Sequence, residues 1–150
     1  MYEMLEIDCC ISCGKFPIEN TGRGEDISPE IVIKNLSLKA VSLAVTLEDI
    51  GHPIKDFTHW VIWNIPADNI IKGGIARGKN LSDGSVQGIG YGMHRYAGPK
   101  PPKGKTHSYR LTVYSLDCML ELGADSFKRD FLKKAQEHIL QKGSVTGEFE

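Results

Sequence analysis

Between residues 41 and 48, Val41, Leu43, Val45 and Leu47 alternate with Ser42, Thr46 and Glu48. A period of two fits a half-buried strand and is incompatible with the 3.6-residue period of a helix. Residues 107–116 alternate again, with Leu111 and Val113 on one side and Arg110 and Thr112 on the other. Residues 57–65 are rich in aromatic and β-branched side chains and are stopped by Pro66. Ile31–Ile33 is a shorter candidate, and Leu5 and Ile7 suggest an N-terminal strand. One helix is expected, because Phe127, Phe131, Ala135 and Ile139 recur every four residues and Leu132 and Leu140 widen that stripe. Asp125 or Ser126 can cap its start and Gly143 can end it, leaving Val145–Phe149 to pair with a sheet. The fold class is therefore mainly β with a C-terminal α-helix packed on it.

A chain of 150 residues suits a single domain, 1–150, with one core. Its formal net charge of -1 gives no reason to expect nucleic acid as a partner. No apolar run reaches the length of a transmembrane segment, and the N-terminus lacks a basic-then-apolar leader, so a cytoplasmic location is expected. Cys10 and Cys13 form a C-x-x-C beside Cys9, but no second Cys/His pair completes a zinc site. Gly14 and Pro17 follow too soon for the helix that a redox pair opens. These thiols read as reduced loop residues.

Strand parity carries the functional reading. Asp49 continues the face of Val41, Leu43, Val45 and Leu47; His59 shares parity with Phe57, Val61 and Trp63; His107 and Tyr109 share it with Leu111 and Val113. Strands 41–49 and 57–65 are joined by a short loop and should pair antiparallel, which brings Asp49 near His59. His107 opens its strand directly after a long Gly/Pro-rich stretch, residues 66–105. Four ionisable or polar groups then rim one pocket. Two imidazoles, a phenol and loop N–H groups around Gly98 suit an anion, provided Asp49 holds a histidine rather than the ligand.

Competing motifs fail. Residues 73–79 nearly spell a P-loop, but Asn80 replaces the magnesium-binding Ser/Thr. Residues 88–92 do not complete a dinucleotide fingerprint, and no G-x-S-x-G elbow exists. His59, His107 and Asp49 are metal-ligating types, yet no H-x-H or H-x-x-x-H pair is present, so neither metal nor cofactor is expected. His52, His94 and His138 have no obvious partners and read as surface or loop residues. The lysines at 100, 103 and 105 read as a solvated loop.

These residues also resemble a known family. Residues 24–29 (GEDISP) are similar to the G-x-[ND]-x-S-P segment of phosphatidylethanolamine-binding proteins. Asp49-Ile50-Gly51-His52-Pro53 stands where that family has D-P-D-A-P, and Thr58-His59-Trp60-Val61 resembles its H-W strand. Residues 96–102 (YAGPKPP), with Gly104, His107 and Tyr109, resemble Y-x-G-P-x-P-P-x-G…H-x-Y. His138-Ile139-Leu140 and Gly147-Glu148-Phe149 resemble its ending. Ile50, Gly51 and His52 depart from the pattern, and Phe149 replaces a Tyr.

The resemblance implies a large antiparallel sheet packed with a smaller one, in the compact microbial form related to Raf kinase inhibitor-like proteins. It implies an anion pocket at Asp49, Pro53, His59, Ala97, Gly98, Pro101, Pro102, His107 and Tyr109, with a cis His52–Pro53 bond in its wall. The implied partners are a phosphate, carboxylate or phosphorylated head group, a phosphorylated protein, and a second copy in a homodimer. The expected role is ligand binding, of a regulatory kind such as kinase or protease inhibition. The alternative is a hydrolase or transferase using His59 and His107 as general acid and base on a phosphoryl or acyl group.

Overall fold

A computed structural model describes residues 2–150. Among these residues nine strands form: β1 (Glu3–Met4), β2 (Ile7–Cys9), β3 (Ile31–Ile33), β4 (Ser42–Asp49), β5 (Phe57–Pro66), β6 (Ile70–Ile71), β7 (Val86–Gln87), β8 (His107–Leu116) and β9 (Ile139–Phe149). The large sheet runs β1-β9-β8-β4-β5-β7, and the small one runs β2-β3-β6. Antiparallel pairing was expected throughout, but β1 joins β9 in parallel, so the large sheet is mixed. The long strands β4, β5 and β8 are antiparallel neighbours, and the short 50–56 connection fits the β4–β5 pairing.

The large sheet is buried on both faces. Leu43, Val45, Leu47, Leu111 and Val113 meet Ile31 and Ile33 of the small sheet. Ala44, Val61, Trp63 and Tyr114 meet Phe131 and Ala135 of the helix α1 (Lys128–Ala135). The half-buried reading of residues 41–48 is thereby corrected, since the helix covers the polar alternates as well. Ser42 donates its hydroxyl to the Cys118 carbonyl at 2.6 Å, while the Thr46 hydroxyl is buried without a hydrogen-bond partner.

The helix is shorter than its apolar stripe. Phe131 and Ala135 face the core at 0% exposure, but Ile139 and Leu140 open β9, which pairs with β8 from Leu116↔Ile139 to His107↔Phe149. A long antiparallel partner outcompetes one more helical turn. Gly143 is no helix cap. It lies in β9, where a Cβ would come within 2.1 Å of the Leu5 carbonyl oxygen. Neither Asp125 nor Ser126 caps the start either. The Phe127 N–H donates to Asp130 Oδ2 at 2.8 Å, Asp125 pairs with Lys79, and the Ser126 carbonyl accepts the Ile89 N–H.

The 66–105 stretch holds β6 and β7 and is pinned by one residue. Gln87, 0% exposed, accepts from Trp60 Nε1 at 2.9 Å and donates to the carbonyls of Ala76, Gly78 and His94. Burying that amide is tolerable because every polar atom is satisfied. Among the described residues no helix is long and apolar enough to cross a membrane.

Candidate functional site

A β-bulge places the first histidine. Leu47 pairs with Trp60 and Glu48 with Thr58, so His59 is an extra residue on β5. At a bulge two successive side chains oppose one partner residue, and alternation is reset. His59 therefore stays with Phe57, whose ring centroid is 5.5 Å away, and with Tyr109 at 5.4 Å. Val61 and Trp63, expected on the same face, lie on the helix side instead.

The carboxylate serves the other histidine. Asp49 Oδ2 lies 2.7 Å from His107 Nδ1, and Asp49 Oδ1 accepts the Gly51 N–H at 2.9 Å. Register explains the choice, because Asp49 sits opposite Tyr109 on β8, two residues from His107. With both oxygens occupied and only 3% exposure, Asp49 orients His107 and leaves Nε2 without a hydrogen bond.

His59 is held differently. A carbonyl only accepts, so its 2.8 Å contact to the Ala97 oxygen fixes Nδ1 as the donor. Burial lowers its pKa, against weaker opposing effects of the Ala97 carbonyl and the Asp49 charge. The free ring is thus neutral, with its lone pair on Nε2. Tyr109 is buried, and its hydroxyl has no hydrogen-bond partner, although the Lys100 backbone lies near. Burial first, and the Asp49 charge second, push its pKa well up, so the phenol remains a donor.

The loop residues shape this wall more than they donate to it. The Gly98 N–H, expected to be free, is bonded to Asp26 Oδ1 at 2.7 Å. Asp26, at φ 59, also takes Arg95 at 3.2 Å. A Cβ on Gly98 would lie 2.2 Å from the Asn20 carbonyl oxygen, so only glycine fits. The buried Pro101 accepts from Arg23, while Pro102 is exposed. Pro53 is exposed and lines, with Asp49, His52 and Arg110, a hollow of about 310 Å³ that His59, His107 and Tyr109 do not line. The His52–Pro53 bond is trans, contrary to expectation; the 50–56 turn reverses through Asp56, at φ 58.

Two site neighbours, Tyr91 and His52, were not assigned to the site from the sequence. Tyr91 lies 5.1 Å from His59, His52 stacks on Phe57 at 4.0 Å, and His52 lies 6.4 Å from His107. Glycine-rich surroundings hid Tyr91, whose only signal was being an aromatic in a loop. The C-x-x-C makes no hydrogen bond to either imidazole. Cys10 donates to Asn20 Oδ1 at 3.1 Å, and partial burial pushes its pKa up to about 11, so the thiol is protonated at neutral pH.

Known proteins share this framework. A family model described as phosphatidylethanolamine-binding protein matches residues 10–150. A UPF0098 protein of Methanothermobacter thermautotrophicus is 38% identical over 136 residues, covering 89% of each chain. The UPF0098 protein YbhB of Escherichia coli is 32% identical, covering 84% of this chain and 83% of its own. The crystal structure of Escherichia coli YbcL, described as a new member of the mammalian PEBP family, superposes with a TM-score of 0.83 at 23% identity and 99% coverage of both chains. That of the Chlamydia trachomatis homologue CT736 gives 0.78 at 24% identity, covering 91% of this chain and 90% of its own. At such identities the two superpositions establish the fold.

Proposed function

This chain belongs to the phosphatidylethanolamine-binding protein family, and from that premise we propose that it is a regulatory ligand-binding module that takes a small anion at His107, His59 and Tyr109. The supporting observation is the Tyr109 hydroxyl, a buried donor left without a partner beside two imidazoles whose Nε2 atoms make no hydrogen bond. Orphaned buried donors are costly, and a ligand oxygen removes that cost. Asp49 keeps the Nδ1 proton of His107 in place, and a bound anion needs a proton on Nε2 of each ring, which its charge favours, so that the cluster then offers three converging donors. The ligand class is a phosphate, a carboxylate or a phosphorylated head group, free or carried on a protein.

Phosphate titration, followed by NMR of the histidine rings and by calorimetry, tests this reading. The His59 and His107 signals should shift together. Asp49→Asn and His107→Ala should each weaken binding about tenfold or more, the worth of a hydrogen bond to a charged group. Tyr109→Phe should weaken binding similarly while leaving stability unchanged or raised by about 1 kcal/mol, since it removes an unsatisfied hydroxyl. Phosphate binding that is indifferent to all three substitutions sinks the proposal.

The oriented Asp49–His107 pair also suits a general base, which is the hydrolase or transferase alternative. Among the described residues no serine, threonine or cysteine side chain is hydrogen-bonded to either imidazole, which favours binding. Turnover of a phosphoester that is lost in His107→Ala would reverse that preference.

A further inference from the structure

At the opposite end of the large sheet, Asp117 and Cys118 follow β8, and His138 immediately precedes β9. One ligating atom from each, a carboxylate oxygen, a thiol sulfur and an imidazole nitrogen, lie within 4.8 Å of one another. Their backbone is fixed on every side. The Asp117 N–H donates to the His138 carbonyl at 3.0 Å, and the His138 N–H to the Ala135 carbonyl at 2.7 Å. The Cys118 carbonyl accepts the Ser42 hydroxyl, and Leu120 exchanges two hydrogen bonds with the buried Asn64 side chain. Three donors of different types thus converge on a rigid frame.

The geometry points to a divalent metal site of the zinc class at Asp117, Cys118 and His138, with one coordination position open. Zinc takes sulfur at ~2.3 Å and nitrogen or oxygen at ~2.0–2.2 Å in a tetrahedron, so the donors must draw to ~3.5 Å apart. Side-chain rotation covers that distance while the backbone stays where its hydrogen bonds hold it. A mixed sulfur, nitrogen and oxygen set disfavours magnesium and calcium, which prefer all-oxygen shells. On binding, the thiol proton leaves to solvent and the neutral imidazole keeps its proton on the nitrogen that does not ligate. The thiolate and carboxylate then cancel the charge of the ion. Such an ion clips the end of β8 to the start of β9. Roughly 30 Å of strand separates it from His107, so it is independent of the anion reading.

Cobalt(II) titration of the full, reduced chain tests the site. The native protein should show a thiolate-to-cobalt charge-transfer band at one ion per chain, displaced by zinc. Cys118→Ser should abolish the band, and His138→Ala should weaken binding about tenfold or more. A variant with Cys9, Cys10 and Cys13 all changed to Ser should keep it. In a second measurement, zinc should raise the Tm of the native chain and leave that of Asp117→Ala unmoved. No band at micromolar cobalt, a band that survives Cys118→Ser, or an equal zinc-induced rise in both proteins would each overturn the assignment.

Discussion

Both ends of the β4–β8 region carry an aspartate beside a histidine, and the two pairs differ in their surroundings. Asp49 and His107 are 2.7 Å apart with side chains 3% and 13% exposed. Asp117 and His138 are 2.9 Å apart with side chains 45% and 43% exposed. In the first pair water is largely absent, so the carboxylate depends on the partners the fold supplies, His107 and the Gly51 N–H. In the second, water can replace either partner at little cost. The same two residue types therefore make a fixed element of the candidate site's wall at one end. At the other they make an adaptable pair, able to turn toward an ion.

The largest effect should come from breaking the buried pair. Asp49→Ala leaves His107 and the Gly51 N–H without their acceptor and should cost about 3–5 kcal/mol in urea unfolding. A loss below about 1 kcal/mol would mean that water reaches the pair, and the contrast between the two ends would dissolve. Next in size is Gly98→Ala. Its Cβ would meet the Asn20 carbonyl oxygen at 2.2 Å and Asp26 Oδ1 at 2.9 Å. The expected cost is about 1–3 kcal/mol, with displacement of the Ala97 carbonyl that holds His59. Unchanged stability, with an unshifted His59 ring signal, would show that this wall yields.

The two ends were unequally legible in the sequence. Alternation is an unbroken signal along β4 and β8, so the grouping of Asp49 with His107 and Tyr109 follows from counting by two. His59 reached the same group by a less direct route. A bulge inserts one residue without altering composition, so counting by two puts Val61 and Trp63 on the wrong side. The far end was obscured by a coincidence of periods. Ile139 and Leu140 extend the four-residue stripe of α1 and hide the start of β9, so nothing in the spacing sets His138 beside Asp117 and it reads as a surface or loop residue. Gln87 gave no signal because its role depends on carbonyls outside its own strand, at Ala76 and His94, and Gly98 was legible as a site residue but not as the close neighbour of the Asn20 carbonyl.

A smaller effect separates the buried ring from solvent-exposed histidines. Burial holds the His59 pKa below its usual value. Above pH ~6.5 the ring is neutral in both folded and unfolded chains. As pH falls below that value, the unfolded chain takes up a proton that the folded ring resists, so stability declines toward the lowered folded pKa. His59→Asn should flatten this part of the stability–pH curve, measured as the difference from the native protein. Sulfate, which does not titrate in this range, should bind more tightly over the same interval, because a bound anion favours the protonated ring. Stability and affinity then move in opposite directions with pH. A flat difference curve would mean that His59 is hydrated in the folded state.

The smallest effect is expected at the exposed pair. In metal-free buffer Asp117→Ala removes one partner of His138, and the loss should stay below about 1 kcal/mol, since solvated pairs contribute little. The Asp117 N–H to His138 carbonyl bond is a backbone contact and survives the substitution. A loss near that of Asp49→Ala would show that burial does not distinguish the two ends, and that the carboxylate supports the β8–β9 junction by itself. With zinc added, the gap between native and Asp117→Ala should widen, because only the native chain gains the stabilisation that a ligand specific to the folded state confers. Running the pair with and without zinc separates a weak ion pair from a ligand set, which a single unfolding curve cannot do.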